Sequence, residues 1–212
     1  MNTHRFPDFA EKLVAWQREH GRHDFPWQVR DPYAVWLSEI MLQQTQAATV
    51  RDYFLRFIRE LPTVRDLAAA PQDTVLALWA GLGYYSRARN LKRAAEAIVR
   101  EHSGQLPSDF DALLALPGIG RYTASAIASF AYGQPRPAVD GNFLRVAARV
   151  TANGIDIAKD ASKRALEAAL APSYPTGRDA GYLNEAFMDL GATICLPNGA
   201  PLCHTCPAAR LC

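Results

Sequence analysis

The sequence lacks any long hydrophobic run. No window approaches the roughly 18 apolar residues of a membrane span, and Met1 to Ala15 mix charge with proline where a signal peptide would carry an apolar core. No membrane partner is therefore expected, and a reducing cytosol is the default compartment. Cysteine is absent until Cys195. A chain of this size can bury roughly 70 % of its unfolded surface without cross-links, so disulfides are not needed for stability. Lysine is scarce as well: Lys12, Lys92, Lys159 and Lys163 stand against 19 arginines, and the formal net charge is only +2. Bulk electrostatics then neither demand nor forbid a nucleic-acid partner. Arginine is the better fork for phosphate, although solvated helix faces would account for the same excess. Strand-like alternation is rare, and no repeat, low-complexity tract or long linker is visible.

What is present is ordinary globular composition, 49 % apolar and 21 % charged, far from the signature of disorder. Apolar residues recur at helical spacing, as in Phe9, Leu13 and Trp16, in Leu76, Leu78 and Trp79, and in Ala124, Ile127, Ala128 and Phe130. Proline and glycine interrupt these runs at Pro62, Pro71, Gly81, Pro107, Pro117, Gly133 and Pro135. The pattern predicts an all-α protein of roughly ten short helices. The stretch from Gly133 to Val139 is the best candidate for a boundary.

Three features carry chemistry. The cysteines Cys195, Cys203, Cys206 and Cys212 fall in the last 18 residues with the spacing C-x7-C-x2-C-x5-C. Four thiolates around a metal centre suit a reducing compartment better than two disulfides. The spacing alone leaves an iron-sulfur cluster, zinc and unligated thiols open. The run Leu114 to Thr123 sets Pro117-Gly118-Ile119-Gly120 between an apolar helix and one beginning near Tyr122. Glycines there would let the backbone approach a phosphate, and a plain turn between helices is the alternative. Finally, two carboxyl groups sit in opposite surroundings. Glu39 lies among Val35, Trp36, Leu37, Ile40, Met41 and Leu42, where burial would raise its pKa and suit it to act as an acid. Asp140 lies in Val139-Asp140-Gly141-Asn142, at an expected helix start whose positive end would favour its ionised form. Such a pair suits cleavage of a glycosidic bond. A solvated Glu39 and an ordinary N-cap at Asp140 are the plain alternatives.

The segments Leu37-Ser38-Glu39-Ile40-Met41-Leu42-Gln43-Gln44-Thr45, Gly81-Leu82-Gly83-Tyr84-Tyr85-Ser86-Arg87-Ala88-Arg89-Asn90, Leu116 to Gly120, Val139 to Asn142 and the terminal cysteines together resemble the catalytic domain of the A/G-specific adenine DNA glycosylases, the MutY family. The resemblance runs from about residue 7 to the end. It implies a two-lobed helix-hairpin-helix fold: a six-helix barrel over 28–134, and an iron-sulfur lobe from 1–27 and 135–212. It implies a [4Fe-4S] cluster on the four cysteines, although their first gap is one residue longer than the family pattern. It also implies hydrolytic removal of adenine opposite guanine or 8-oxoguanine in base excision repair. The partner would be double-stranded DNA carrying an adenine mispair, met by a monomer in the bacterial cytosol or nucleoid.

By the same resemblance Glu39 protonates adenine at N7 and Asp140 stabilises the sugar cation, with Tyr122 and Asn142 orienting the acidic pair. His23, Phe25, Trp27 and Glu185 lie against the adenine, and Gln43 and Tyr84 enter the base stack. Gly118 and Gly120 meet the DNA backbone, with Arg87, Arg89, Lys92 and Arg93 as phosphate-contact candidates. A monovalent or calcium ion on the carbonyls of Leu114, Leu116 and Ile119 is a further implication. Relatives that also cut the strand carry a lysine where this chain has Tyr122, so base removal without strand cleavage is expected. Most relatives continue into a second domain that reads 8-oxoguanine. A chain ending at Cys212 is therefore expected to read that lesion weakly. The rival readings are a thymine glycosylase acting on T/G mismatches and a non-catalytic DNA-binding iron-sulfur protein.

Overall fold

Caps and apolar stripes divide the chain into helices. The computed structural model describes residues 6–152, 154, 156–157 and 159–212, so the reading of the first five residues lies outside it. The described residues contain α-helices and single turns, with no strand, which bears out the all-α expectation. In chain order the helices are α1 Phe6–His20, α2 Pro32–Leu42, α3 Ala47–Glu60, α4 Val64–Ala69, α5 Gln72–Trp79 and α6 Ser86–Glu101. They continue as α7 Phe110–Leu114, α8 Arg121–Phe130, α9 Gly141–Val150, α10 Asp160–Leu170 and α11 Arg178–Thr193. None of the described helices is long and apolar enough to cross a membrane. The chain forms two compact units, one of residues 24–132 and one of 1–23 with 133–212.

In the unit of residues 24–132, α2 is the central helix. Every residue from Tyr33 to Met41 is buried, Glu39 included, and α3, α6 and α8 pack around it. A helix apolar on all sides must be enclosed. Its start is set by Asp31, whose side chain accepts a hydrogen bond from the Ala34 amide at 2.8 Å, followed by Pro32 in the first turn. Loss of such a cap costs about 1 kcal/mol. Thr63 and Asp66 close a reciprocal capping box at the head of α4. Trp36, Phe57 and Trp79 are fully buried in this core. Burial of each contributes on the order of 2–3 kcal/mol.

In the other unit, α1 turns Phe6, Phe9, Leu13 and Val14 inward and packs on α11, which also packs on α9. Phe187 of α11 stacks on Phe143 at 3.8 Å between centroids and meets Phe9 at 5.7 Å. This interior also holds polar groups. The buried Asp189 carboxylate accepts from the Arg22 amide (3.0 Å), Arg22 Nε (2.7 Å) and Gln17 Nε2 (3.2 Å). Buried Asn184 accepts from the Ala138 amide (2.9 Å) and donates to the Arg136 carbonyl (3.0 Å), which fixes the segment leading to α9. The Gly177 amide donates to the Gly133 carbonyl at 2.8 Å, and a Cβ at Gly133 would fall 2.8 Å from Gly177 Cα. Glycine is required at Gly133 on two counts, that approach and a φ of +65°. Beyond α11 the chain makes only single turns at Cys203–Thr205 and Ala209–Leu211. Of residues 195–212, Ala208 alone is buried.

Candidate active site

Glu39 occupies the interior of α2 at 7 % exposure, as its apolar neighbours suggest. The helix that carries it ends at Gln43, whose Nε2 donates to Thr123 Oγ1 on α8 at 3.4 Å. Tyr122, half-buried, lies in the first turn of α8. The hairpin between α7 and α8 is tight: the Ile119 amide donates to the Leu116 carbonyl at 3.2 Å, which leaves that oxygen one further lone pair. Gly118 takes a φ of +77°, and a Cβ there would meet Asn90 Cβ at 2.7 Å. Gly120 is the N-cap of α8 and has no side chain with which to cap it, and nothing lies within 4 Å of where its Cβ would be. A helix start preceded by glycines is a place where the backbone can come close to an anion.

Asp140 is the N-cap of α9, as expected. Oδ1 accepts from the Phe143 amide at 2.7 Å and Oδ2 from Asn142 Nδ2 at 3.1 Å. Asn142 is held in turn by Arg145 Nη2 (2.8 Å), which also donates to the Gly191 carbonyl (2.8 Å), while Arg145 Nε reaches the Cys195 carbonyl (3.0 Å). A continuous hydrogen-bonded path therefore joins Asp140 to the first cysteine. Gly191 makes the close packing possible, since a Cβ there would stand 2.6 Å from Asn142 Cβ. The expected direction of the Asp140 pKa needs correction. Burial raises it above the ordinary carboxylate range, and the Phe143 amide, Asn142 and Arg145 offset this only in part. The helix end stabilises the anion, but desolvation is the larger effect.

Two phosphate-contact candidates are also corrected. Arg87 is 8 % exposed, with its guanidinium donating to backbone carbonyls, and Lys92 is equally buried, with Nζ on the Ala68 carbonyl (3.0 Å) and on Glu96 (2.9 Å). Neither is available to a phosphate. Arg89 and Arg93 are exposed. Among the residues expected against the adenine, Trp27 is buried in the core of its unit, with Phe25 stacked on it at 5.0 Å and Phe54 edge-on at 5.7 Å. His23 is exposed, Glu185 is half-buried on α11, and Tyr84 is 63 % exposed with a φ of +47°.

None of the four cysteines takes part in a disulfide. Burial pushes Cys206 and Cys212 up, and nearby Cys195 and Cys203 add to both, while Arg149 opposes the shift at Cys212. Arg149 Nη1 also donates to Cys195 Sγ at 3.2 Å. Among the described residues no group of three or more His, Cys, Asp or Glu is placed to hold one metal ion. Tetrahedral zinc would draw four sulfurs to within about 4 Å of one another, whereas an iron-sulfur cube spreads its thiolates over separate irons. Four cysteine thiols are a donor set that either group takes. Arg145, Arg149 and Gly191 were not foreseen from the sequence. Their only signal was the recurrence of Asp140, Leu144 and Ala147 at helical spacing, which turns Arg145 and Arg149 to a neighbouring side of α9.

Residues 37–172 match the HhH-GPD superfamily base excision DNA repair protein family, and the chain belongs to that superfamily. Within it, 99 % of the chain is 43 % identical to the rat protein named adenine DNA glycosylase and 44 % identical to its human counterpart. A Buchnera aphidicola protein of the same name is 39 % identical over 96 % of the chain. The chain covers 43 %, 41 % and 57 % of these relatives, about half their length or less. Among solved structures, a thermostable thymine-DNA glycosylase superposes with a TM-score of 0.87 at 28 % identity, covering 100 % of this chain and 97 % of that one. An endonuclease III–DNA covalent intermediate superposes at 0.79 and 22 % identity, covering 100 % and 96 %, and so shares the fold.

Proposed function

We propose that the chain is a monofunctional DNA glycosylase that hydrolyses the N-glycosidic bond of adenine mispaired with guanine or 8-oxoguanine in double-stranded DNA. The observation that carries this reading is Glu39, a carboxyl group enclosed in the apolar helix α2 of a chain 43 % and 44 % identical to adenine DNA glycosylases. The target base leaves the stack. Glu39 donates a proton to adenine N7, which makes the base a better leaving group. Asp140, fixed by the Phe143 amide and Asn142, offers a carboxylate to the cationic sugar, and water completes an abasic site. Tyr122 stands where strand-cutting relatives carry an amine, and a phenol cannot form an imine. The first turn of α8, with Gly118 and Gly120 before it, receives a DNA phosphate. A hairpin cation would use the Leu114, Leu116 and Ile119 carbonyls.

Cys195, Cys203, Cys206 and Cys212 would hold a [4Fe-4S] cluster. When bound, it supplies a rigid cross-link to a segment whose only buried side chain is Ala208. Duplexes carrying A·G, A·8-oxoguanine and T·G, followed by mass analysis of the released base, test the reading. Free adenine from the first two supports it. Thymine from the third alone would make this a thymine glycosylase, and no base from any would leave a DNA-binding protein.

A further inference from the structure

Arg87 stands in the first turn of α6 with its guanidinium withdrawn from solvent. Nη1 donates to the carbonyls of Ile40 (3.0 Å), Met41 (2.9 Å) and Gln43, and Nη2 to Thr45 Oγ1 (3.2 Å) and the carbonyls of Leu82 (3.1 Å) and Gly83 (3.3 Å). The first three oxygens close α2, whose final carbonyls lack helical partners and whose last turn has no basic residue. The last two belong to the turn that leads into α6. A single cation thus ties together two segments distant in sequence, and among the described residues no carboxylate pairs with it. Only arginine offers a planar fork wide enough to reach six acceptors on both sides.

Each tied segment contains a side chain in the left-handed region, Gln44 at φ +57° and Tyr84 at φ +47°. Such a conformation persists in a non-glycine residue only where its surroundings impose it. Each segment also faces solvent, Gln44 being exposed and Tyr84 being the most exposed large hydrophobic side chain of the described residues. The guanidinium carbon lies 5.5 Å from the Tyr84 ring centre and 5.4 Å from that of Trp79, whose Nε1 holds the Gly83 carbonyl at 3.1 Å.

We propose that Arg87 is a positioning residue for mispair recognition: it locks the turns at Gln44 and Tyr84 so that an amide-bearing turn and an exposed phenol meet stacked nucleobases as one rigid wedge. The proposal rests on the DNA-glycosylase reading. A phenol face stacks on any base, so the discrimination has to come from how rigidly the pair is held against a weakened step in the duplex.

The test uses the full chain, with the fluorescent base 2-aminopurine beside an A·G mispair or in a matched duplex. Arg87→Lys keeps the charge and loses the fork. Its preference for the mispaired duplex is expected to fall about tenfold, the size of one lost charge-assisted hydrogen bond, and its fluorescence rise on binding to shrink. Because Arg87 acts in part through Tyr84, the loss of preference in a double Arg87→Lys, Tyr84→Ala variant should be smaller than the sum of the two single losses. A preference kept within about twofold, or losses that add in the double variant, would overturn the proposal. Should Arg87→Lys fail to fold, Thr45→Val removes one acceptor and is read in the same way: a reduced preference supports the lock and an unchanged one refutes it. If the wild type released no base at all, the proposed reaction would fail, while the binding preference would still decide the role of Arg87.

Discussion

The two candidate catalytic carboxyl groups are held by opposite means. Glu39 sits in the middle of an enclosed helix, and its surroundings are the apolar core of residues 24–132. Asp140 sits at a helix start, and its surroundings are a polar path through Asn142 and Arg145 to the Cys195 carbonyl. The first setting is made by burial within α2. The second is made by geometry and depends on every member of the path, including the absence of a side chain at Gly191. A carboxylate facing a cation needs orientation, which fixed donors provide.

The largest effect should come from Glu39→Gln, which keeps the shape of the side chain and removes the transferable proton. Adenine release under single-turnover conditions should fall by about 10²–10⁴-fold, with duplex affinity retained. Near-normal release would move the acid role elsewhere and end the comparison.

Asp140→Asn should lose about 10²–10³-fold in the same assay, since it removes the charge facing the sugar cation. Its stability should move the other way. The folded pKa of Asp140 is raised, so the folded chain holds that proton more tightly than the unfolded one does. This contribution favours folding in acid and is lost as pH rises through the folded value. Asparagine still caps α9, so Asp140→Asn should melt at or above the wild-type temperature at neutral pH. The difference should vanish in acid. Scanning calorimetry at both pH values checks the sign, and a lower melting point at neutral pH would contradict it.

Cys203→Ala sharpens the contrast between a segment without a core and a unit with one. Residues 195–212 should become sensitive to protease while the helices of 24–132 keep their amide protection, as limited proteolysis and hydrogen exchange would show. The smallest change, Gly191→Ala, pushes a methyl against Asn142. It should cost about 1–3 kcal/mol in thermal unfolding and slow adenine release without weakening DNA binding.

The sequence conveyed the helices, the enclosure of Glu39 and the cap at Asp140, because each depends on residues within one or two turns. It concealed what depends on distant partners. Arg87 reads as a surface cation in a basic run, yet it shares a helical stripe with Leu91, Ala94 and Ile98, all buried. That spacing was the available signal, and it marks a strut in place of a phosphate contact. The net direction of the Asp140 pKa was hidden as well, since it turns on burial, a tertiary property that the residues around a helix cap do not display. Asp189 gives no hint of Arg22 and Gln17, more than 160 residues before it.

The central claim is that a proton from the buried Glu39 reaches the departing base at N7. Its most direct test compares adenine with 7-deazaadenine, which keeps the shape and lacks the accepting nitrogen, in otherwise identical A·G-type duplexes. Wild-type protein should bind both with similar affinity and release 7-deazaadenine slower by about 10²–10⁴-fold, the same factor that Glu39→Gln imposes on adenine. Equal release of the two bases would show that the bond breaks without that proton.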